Sequence, residues 1–252
     1  MNEENNLISQ MRAVTLSREY GSGGGEIGAR LAQRLGWQLI DHEVVVQVAH
    51  ALGVSEEEAE AHDERTESLT SRLLRNMNLF EPAALVATPL PTATDPDVYR
   101  EALRRVVEEA AAARHVVIVG RGAQFILANS RDVLHVRVVA PLDLRIAYVM
   151  RREALDRAAA LARIQLKDRD RTRYLQAEYH QPSDNPHLYD LVVNTGILAL
   201  ENIVDLIYQA LEYKAKRLQT PTEELGPAAG LTPYPGRPGD FRPPESITGP
   251  SK

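Results

Sequence analysis

The sequence predicts an α/β protein built on a parallel sheet, and three observations carry that prediction. Short β-branched runs alternate with longer amphipathic segments. One of those runs, His115 to Val119, is almost wholly β-branched, as a strand buried on both faces would be. A third run, ending near Ser17, opens into a glycine-rich turn directly ahead of a helical pattern. At 252 residues with 44% apolar residues, the chain can bury a substantial core. The absence of cysteine and of a leading apolar run argues against a disulfide-stapled secreted protein, and no apolar stretch nears the roughly 20 residues needed to cross a bilayer. The expectation is a cytoplasmic protein with no membrane partner. A formal net charge of −6 gives no reason to expect a nucleic-acid partner, although arginines cluster locally. Nothing in the sequence speaks to oligomeric state.

Residues 1–10 are polar and read as a flexible N-terminus. Arg12 to Ser17 is the first expected strand, and Gly24 to Leu35 the first helix, with Ile27, Leu31 and Leu35 spaced to face a sheet and Gly36 placed to end it. Trp37 to Ile40 makes a second strand and delivers Asp41 and His42 at its carboxyl end, where open α/β sheets bind ligands. Asp41 reads equally as a contact to a substrate hydroxyl or magnesium-bound water and as the N-cap of a following helix. Residues 43–114 form a polar helical insertion interrupted by Pro82, Pro89, Pro91 and Pro96, its last helix running from Asp97 to Arg114. Strands follow at His115–Val119, Val133–Val139 and Tyr189–Asn194. Helices are expected near Asp143–Arg152 and at Leu198–Leu218. From Pro221 onward 32 residues hold eight of the fifteen prolines and no apolar periodicity, which reads as a disordered tail to residue 252.

Four of the five residues from Gly21 to Gly25 are glycines. A glycine loop between strand and helix lets backbone N–H groups converge on an anion, while the helix N-terminus adds partial positive charge, so this is a candidate phosphate site. Gly23 to Gly28 fits G-x-G-x-x-G, with Asp41 near the distance of a ribose-binding acid. The loop also approximates G-x-x-x-x-G-K-[ST], except that Gly24, Gly25 and Glu26 stand where Lys, Gly and Thr would be. A plain glycine turn without ligand is the third reading. Two cationic features accompany it. Arg121 follows the buried run His115–Val119 and is placed to grip a phosphate. The alternating segment Lys167 to Tyr174 reads either as a solvated helix end or as an arginine-bearing lid over transferring phosphates, within a lid region 165–187.

Together Ser17-Arg18-Glu19-Tyr20-Gly21-Ser22-Gly23-Gly24, Gly36 to Glu43, Val119-Gly120-Arg121-Gly122-Ala123, Asp168 to Tyr174 and Tyr189 to Thr195 resemble the cytidylate kinase-like family, itself similar to nucleoside monophosphate kinases. The resemblance spans about Arg12 to Leu218. It implies a P-loop NTPase-type three-layer sandwich, with a parallel five-stranded sheet, an acceptor-binding insertion and a lid. It also implies transfer of the ATP γ-phosphoryl group to CMP or dCMP with Mg2+. On that pattern Gly21, Ser22, Gly23, Gly24, Gly25 and Glu26 hold the ATP phosphates, Arg121 grips the acceptor phosphate, and Arg171 and Arg173 meet the transferred group. Asp41 and His42 sit on the substrate side. Arg18, or a lid arginine, replaces the missing loop lysine, and Asp41 or Glu26 helps hold magnesium through water; no residue is assigned as a direct metal ligand. Cytosine recognition would draw on the insertion, among Arg65, Thr66, Arg72, Arg75 and Asn78.

Three functions follow from these readings. The first is a nucleotide-phosphorylating enzyme. The second is a nucleotide sensor on a kinase fold that has lost efficient catalysis. The third, a dinucleotide-dependent oxidoreductase, is disfavoured by the long helical insertion and the arginine-rich segment.

Overall fold

The computed structural model describes residues 7–41 and 96–227 together with Ala229, with side chains from residue 104 in the second stretch. The chain divides into two compact units, Met1–Leu218 and Gln219–Lys252. Within the first, β1 (Ala13–Arg18), β2 (Gln38–Ile40), β3 (Val116–Val119), β4 (Val133–Val139) and β5 (Leu191–Asn194) form one sheet in the order β2-β3-β1-β4-β5. All four pairings are parallel, so every strand delivers its carboxyl end to the same edge. The connecting helices are α1 (Gly24–Leu35), α2 (Pro96–Ala113), α3 (Ala123–Ile126), α4 (Leu142–Glu153), α5 (Arg157–Tyr179) and α6 (Leu200–Lys216).

Strand periodicity divides the core. Val14 and Leu16 of β1 face α1 and α6, packing with Ile27, Leu31, Ile203, Ile207 and Leu211. Ala13 faces the other way, with Ile118 and Val133, against Val107 and Ala111 of α2 and Ala123 of α3. The result is the three-layer arrangement that the family resemblance implied. A third cluster, Ile146, Val149, Ala160 and Ile164, joins α4 to α5, with Tyr20 packed against it.

Toward the carboxyl edge, the sheet face on the α2–α3 side turns polar. Thr15 Oγ1 lies 2.7 Å from His135 Nδ1, and Ser17 accepts a hydrogen bond from Arg137 Nη1 at 3.3 Å, each a cross-strand pair in register between β1 and β4. These pairs explain why β4 is not uniformly apolar.

Most expected boundaries hold, and the exceptions have local causes. His115 leaves β3 because its φ of 59°, like that of Arg114 at 66°, lies in the left-handed region. β5 starts at Leu191 instead of Tyr189 because the Asp190 carboxylate itself accepts the His135 N–H at 2.8 Å, taking the place of a ladder carbonyl. The N-terminus departs from the flexible reading in its described part: Leu7–Gln10 forms a turn, and Ile8, only 5% exposed, joins the core beside Met11. One apolar side chain in a polar decapeptide is enough to dock it. Of the 43–114 insertion, only α2 lies within the described residues. Of the Pro221–Lys252 tail, the described residues hold a single-turn 3₁₀ helix at Thr222–Glu224.

Burial sets a pH dependence. His135 is 6% exposed, and its removal from water, opposed by Asp190 and aided by Lys214, pushes its pKa from 6.5 down to about 4. The folded state therefore holds it neutral while the unfolded chain protonates it, so its contribution is complete above pH 6.5 and is lost as pH falls toward 4. Over that window it amounts to on the order of 3 kcal/mol. Denaturant unfolding from pH 7 to 4 should show this slope, and His135→Gln should flatten it; an unchanged slope would remove His135 as the cause.

Candidate functional site

The glycine loop is built from its ends inward. After β1, the Glu19 N–H donates to Val138 O at 3.1 Å and Ser22 Oγ donates to Glu19 O at 2.9 Å, closing the turn on itself. Thr195 Oγ1, just beyond β5, donates to Ser22 O at 2.9 Å. Gly21 and Gly23 have φ of 79° and 80°, which side chains with a Cβ rarely adopt. Gly23 is the N-cap of α1, so the first N–H groups of that helix have no intrahelical acceptor and open toward the carboxyl edge.

Arg18 explains the glycine at position 24. A Cβ on Gly24 would lie 2.8 Å from Arg18 Cβ and 3.1 Å from its Cδ, while Arg18 Nη1 comes to 3.4 Å from the corresponding position on Gly120. The arginine stem thus crosses the start of α1, and its guanidinium ends beside the loop after β3. Where a P-loop carries its lysine on the helix, this chain brings a cation across from the strand.

That loop carries Arg121. Gly120, Arg121 and Gly122 have φ of 84°, 60° and 64°, three consecutive left-handed residues, the middle one costing of order 1 kcal/mol for a non-glycine. Gly122 leaves room for Tyr179, whose ring atoms would lie 2.5 to 2.8 Å from a Cβ there and which stacks on Phe125 with centroids 4.6 Å apart.

The third cation, Arg171, arrives from α5. Its Nη1 donates to Arg18 O at 2.7 Å and reaches Asp168 Oδ1 at 3.4 Å. Burial, then the proximity of Arg171 and Arg121, lowers the Arg18 pKa to about 10, with Asp41 and Tyr20 opposing. Burial likewise lowers Arg171, with Arg137 and Arg121 adding to the effect and Asp168 resisting it. Arg18, Arg121, Arg171 and Arg137 therefore share one electrostatic neighbourhood.

Of the remaining sequence-predicted site residues, Asp41 sits within electrostatic reach of Arg18, and His42 and the insertion candidates lie outside the described residues. Arg173 is exposed: two residues from Arg171, it projects from the far side of α5. The predicted lid segment is the second half of the continuous helix Arg157–Tyr179 followed by a loop, with Asp168 and Arg171 turned inward and Arg169 and Asp170 exposed. Gly25 has open space around it, and Glu26 is held by Arg30, which also pairs with Glu201.

Three residues at this edge escaped the sequence reading. Asp168 accepts from the Tyr20 N–H at 2.8 Å and from Arg145 at 2.5 Å; Arg145, 11% exposed, also donates to Tyr20 O at 3.2 Å. Arg137 lies within β4. The available signal was a basic residue at an alternate position of a buried strand, which a run such as Val133–Val139 does not otherwise tolerate.

The profile of the cytidylate kinase-like family matches residues 13–197. The chain belongs to that family. Among curated relatives, a cytidylate kinase of Archaeoglobus fulgidus is 24% identical over 202 residues, covering 80% of this chain and 95% of the relative. A uronate isomerase of Corynebacterium glutamicum is 36% identical over 98 residues, 39% of this chain, but the match spans only 19% of that relative's length. A solved structure of a protein from Eubacterium ventriosum aligns with a TM-score of 0.55 at 20% identity, over 79% of this chain and 98% of that one, a likeness of fold. The cytidylate kinase-like family member described here thus has the P-loop type α/β sandwich, with a glycine loop that carries neither the lysine nor the hydroxyl residue of the motif. Among the described residues, no helix is long and apolar enough to cross a membrane.

The glycines make a paired test of this geometry. At Gly28 a Cβ would meet Val119 Cγ2 at 2.6 Å and Leu16 at 3.1 Å, whereas at Gly25 nothing lies within 4 Å. Gly28→Ala should destabilise the fold by about 1 to 3 kcal/mol, and Gly25→Ala should be neutral or stabilise by up to about 1 kcal/mol. Urea denaturation midpoints of the two variants check this.

Proposed function

We propose that the chain transfers a phosphoryl group from ATP to a nucleoside monophosphate, CMP or dCMP. The observation that supports it most is the convergence of Arg18, Arg121 and Arg171 at the carboxyl edge of a parallel sheet, beside the open N-terminus of α1. Like charges are brought together in a low-dielectric setting only where something offsets their repulsion: two unit charges roughly 6 Å apart repel by about 3 kcal/mol at an effective dielectric of about 20. Phosphates offset it, and the transfer of a phosphoryl group needs that same neutralisation.

In this reading the backbone of Gly21, Ser22, Gly23, Gly24, Gly25 and Glu26 cradles the donor phosphates, and Arg18 serves where the loop lysine is absent. Arg121 holds the acceptor's phosphate and Arg171 lies between the two. Asp41 sits on the acceptor side, with His42 beside it in sequence. ATP, when bound, supplies the phosphoryl group and its leaving oxygen. No side chain is needed as general base, because the attacking phosphate oxygen of the acceptor is already anionic; the protein positions and neutralises. Arg173, on the exposed side of α5, has no part in this scheme.

The donor phosphates fit the cradle, but the described residues offer magnesium no direct ligand set. The Ser22 hydroxyl is engaged by Glu19 O and Val138 O, Glu26 is paired with Arg30, and no three His, Cys, Asp or Glu side chains gather among the described residues. That same feature supports the second reading, a nucleotide sensor on the kinase fold.

Turnover separates the two. Purified protein should release ADP from ATP and magnesium with CMP or dCMP, and less with UMP, AMP or GMP. Arg121→Ala and Arg171→Ala should each lower kcat/KM by about 100-fold or more, and Arg173→Ala by less than about threefold. Nucleotide binding without turnover on any acceptor would favour the sensor.

A further inference from the structure

Arg137 is a buried cation that the scheme above does not use. It is 8% exposed, sits in β4 opposite Ser17, and lies on the sheet face shared with α2 and α3, away from α1. Among the described residues no carboxylate pairs with it. Its polar contact is the long hydrogen bond from Nη1 to Ser17 Oγ, and its guanidinium stands 5.7 Å from the centre of the Tyr189 ring. Tyr189 OH is itself held, 3.1 Å from Ser17 Oγ and donating to Ser183 O at 2.8 Å. A guanidinium with five donors that meets one weak acceptor and one ring has donors to spare for an anion.

Its surroundings sharpen the point. Another arginine lies within electrostatic reach, since Arg137 lowers the Arg171 pKa. The two cations therefore face a common region at the carboxyl edge, on the side of the sheet where α3 begins just after Arg121. An anion beside Arg137 would also lie in the field of Arg171, which feels both Arg137 and Arg121.

We infer that Arg137 is a phosphate-binding residue for the acceptor: with Ser17 and Tyr189 holding its guanidinium in place, it binds the phosphomonoester dianion of the nucleoside monophosphate. The inference rests on the kinase reading for which nucleotide is the acceptor, but not for the presence of an anion subsite. Arg137 is thereby a binding residue on the acceptor side, and donor binding is independent of it.

Calorimetric titration of the full chain with CMP, with cytidine and with ATP, each on wild type, Arg137→Met and Arg137→Lys, tests this apart from turnover. Wild type should prefer CMP to cytidine, Arg137→Met should weaken CMP by about 10- to 100-fold toward the cytidine value, and Arg137→Lys should fall between; ATP affinity should move less than about twofold. Unchanged CMP affinity in a folded variant overturns the inference and leaves the kinase reading intact. Loss of CMP affinity in Arg137→Met, beside a wild type that binds CMP but never turns over, upholds the inference and sinks the kinase. Should Arg137→Met not fold, a crystal structure of wild type with CMP decides: a phosphate oxygen within about 3.2 Å of the Arg137 guanidinium supports the assignment, and a phosphate seated elsewhere overturns it.

Discussion

The Asp168 carboxylate holds together the part of the molecule where positive charge is densest. One of its oxygens accepts the Tyr20 N–H and meets Arg171; the other takes Arg145. Those three contacts join the first residues after β1, the middle of α5 and the start of α4. Around them the chain packs Arg18, Arg121, Arg137 and Arg171 close enough for each to be felt by another. Without Asp168, α5 would lose its carboxylate contact to the turn after β1, and Arg171 would keep only its hydrogen bond to Arg18 O against repulsion from its neighbours.

The same constraint accounts for the composition of the loop. Arg18 needs a path from the strand to the far side of α1, and only a residue without a side chain at position 24 leaves that path open. A lysine there would compete with Arg18 for both space and charge. The substitution of glycine for the motif's lysine and the placement of an arginine six residues earlier are thus one structural decision, visible as such only in three dimensions.

What could be read from the sequence was what local chemistry determines. The glycine run before Glu26, the α1 stripe of Ile27, Leu31 and Leu35, and the β-branched run before Gly120 placed three elements and the ligand-binding edge, because propensity and burial agree at each. Position after that run marked Arg121, charge alternation marked Lys167 to Tyr174, and family resemblance added the roles of Arg171 and Arg173. What could not be read was geometry across elements. Arg171 and Arg173 look equivalent as letters, and only the packed face of α5 separates them. Arg137 hid inside a strand because a buried cation is invisible until its partners are known to be few, and Ile8 hid in a polar terminus because one side chain makes no periodicity.

Tyr179 ties two of these parts together mechanically. It sits at the last residue of α5, its ring fills the space left by Gly122, and it stacks on Phe125 of α3. The helix that carries Arg171 is therefore hinged to the turn that carries Arg121, in a backbone conformation already strained at that residue. Through one aromatic ring, the helix bearing Arg171 and the turn bearing Arg121 share a single packed contact.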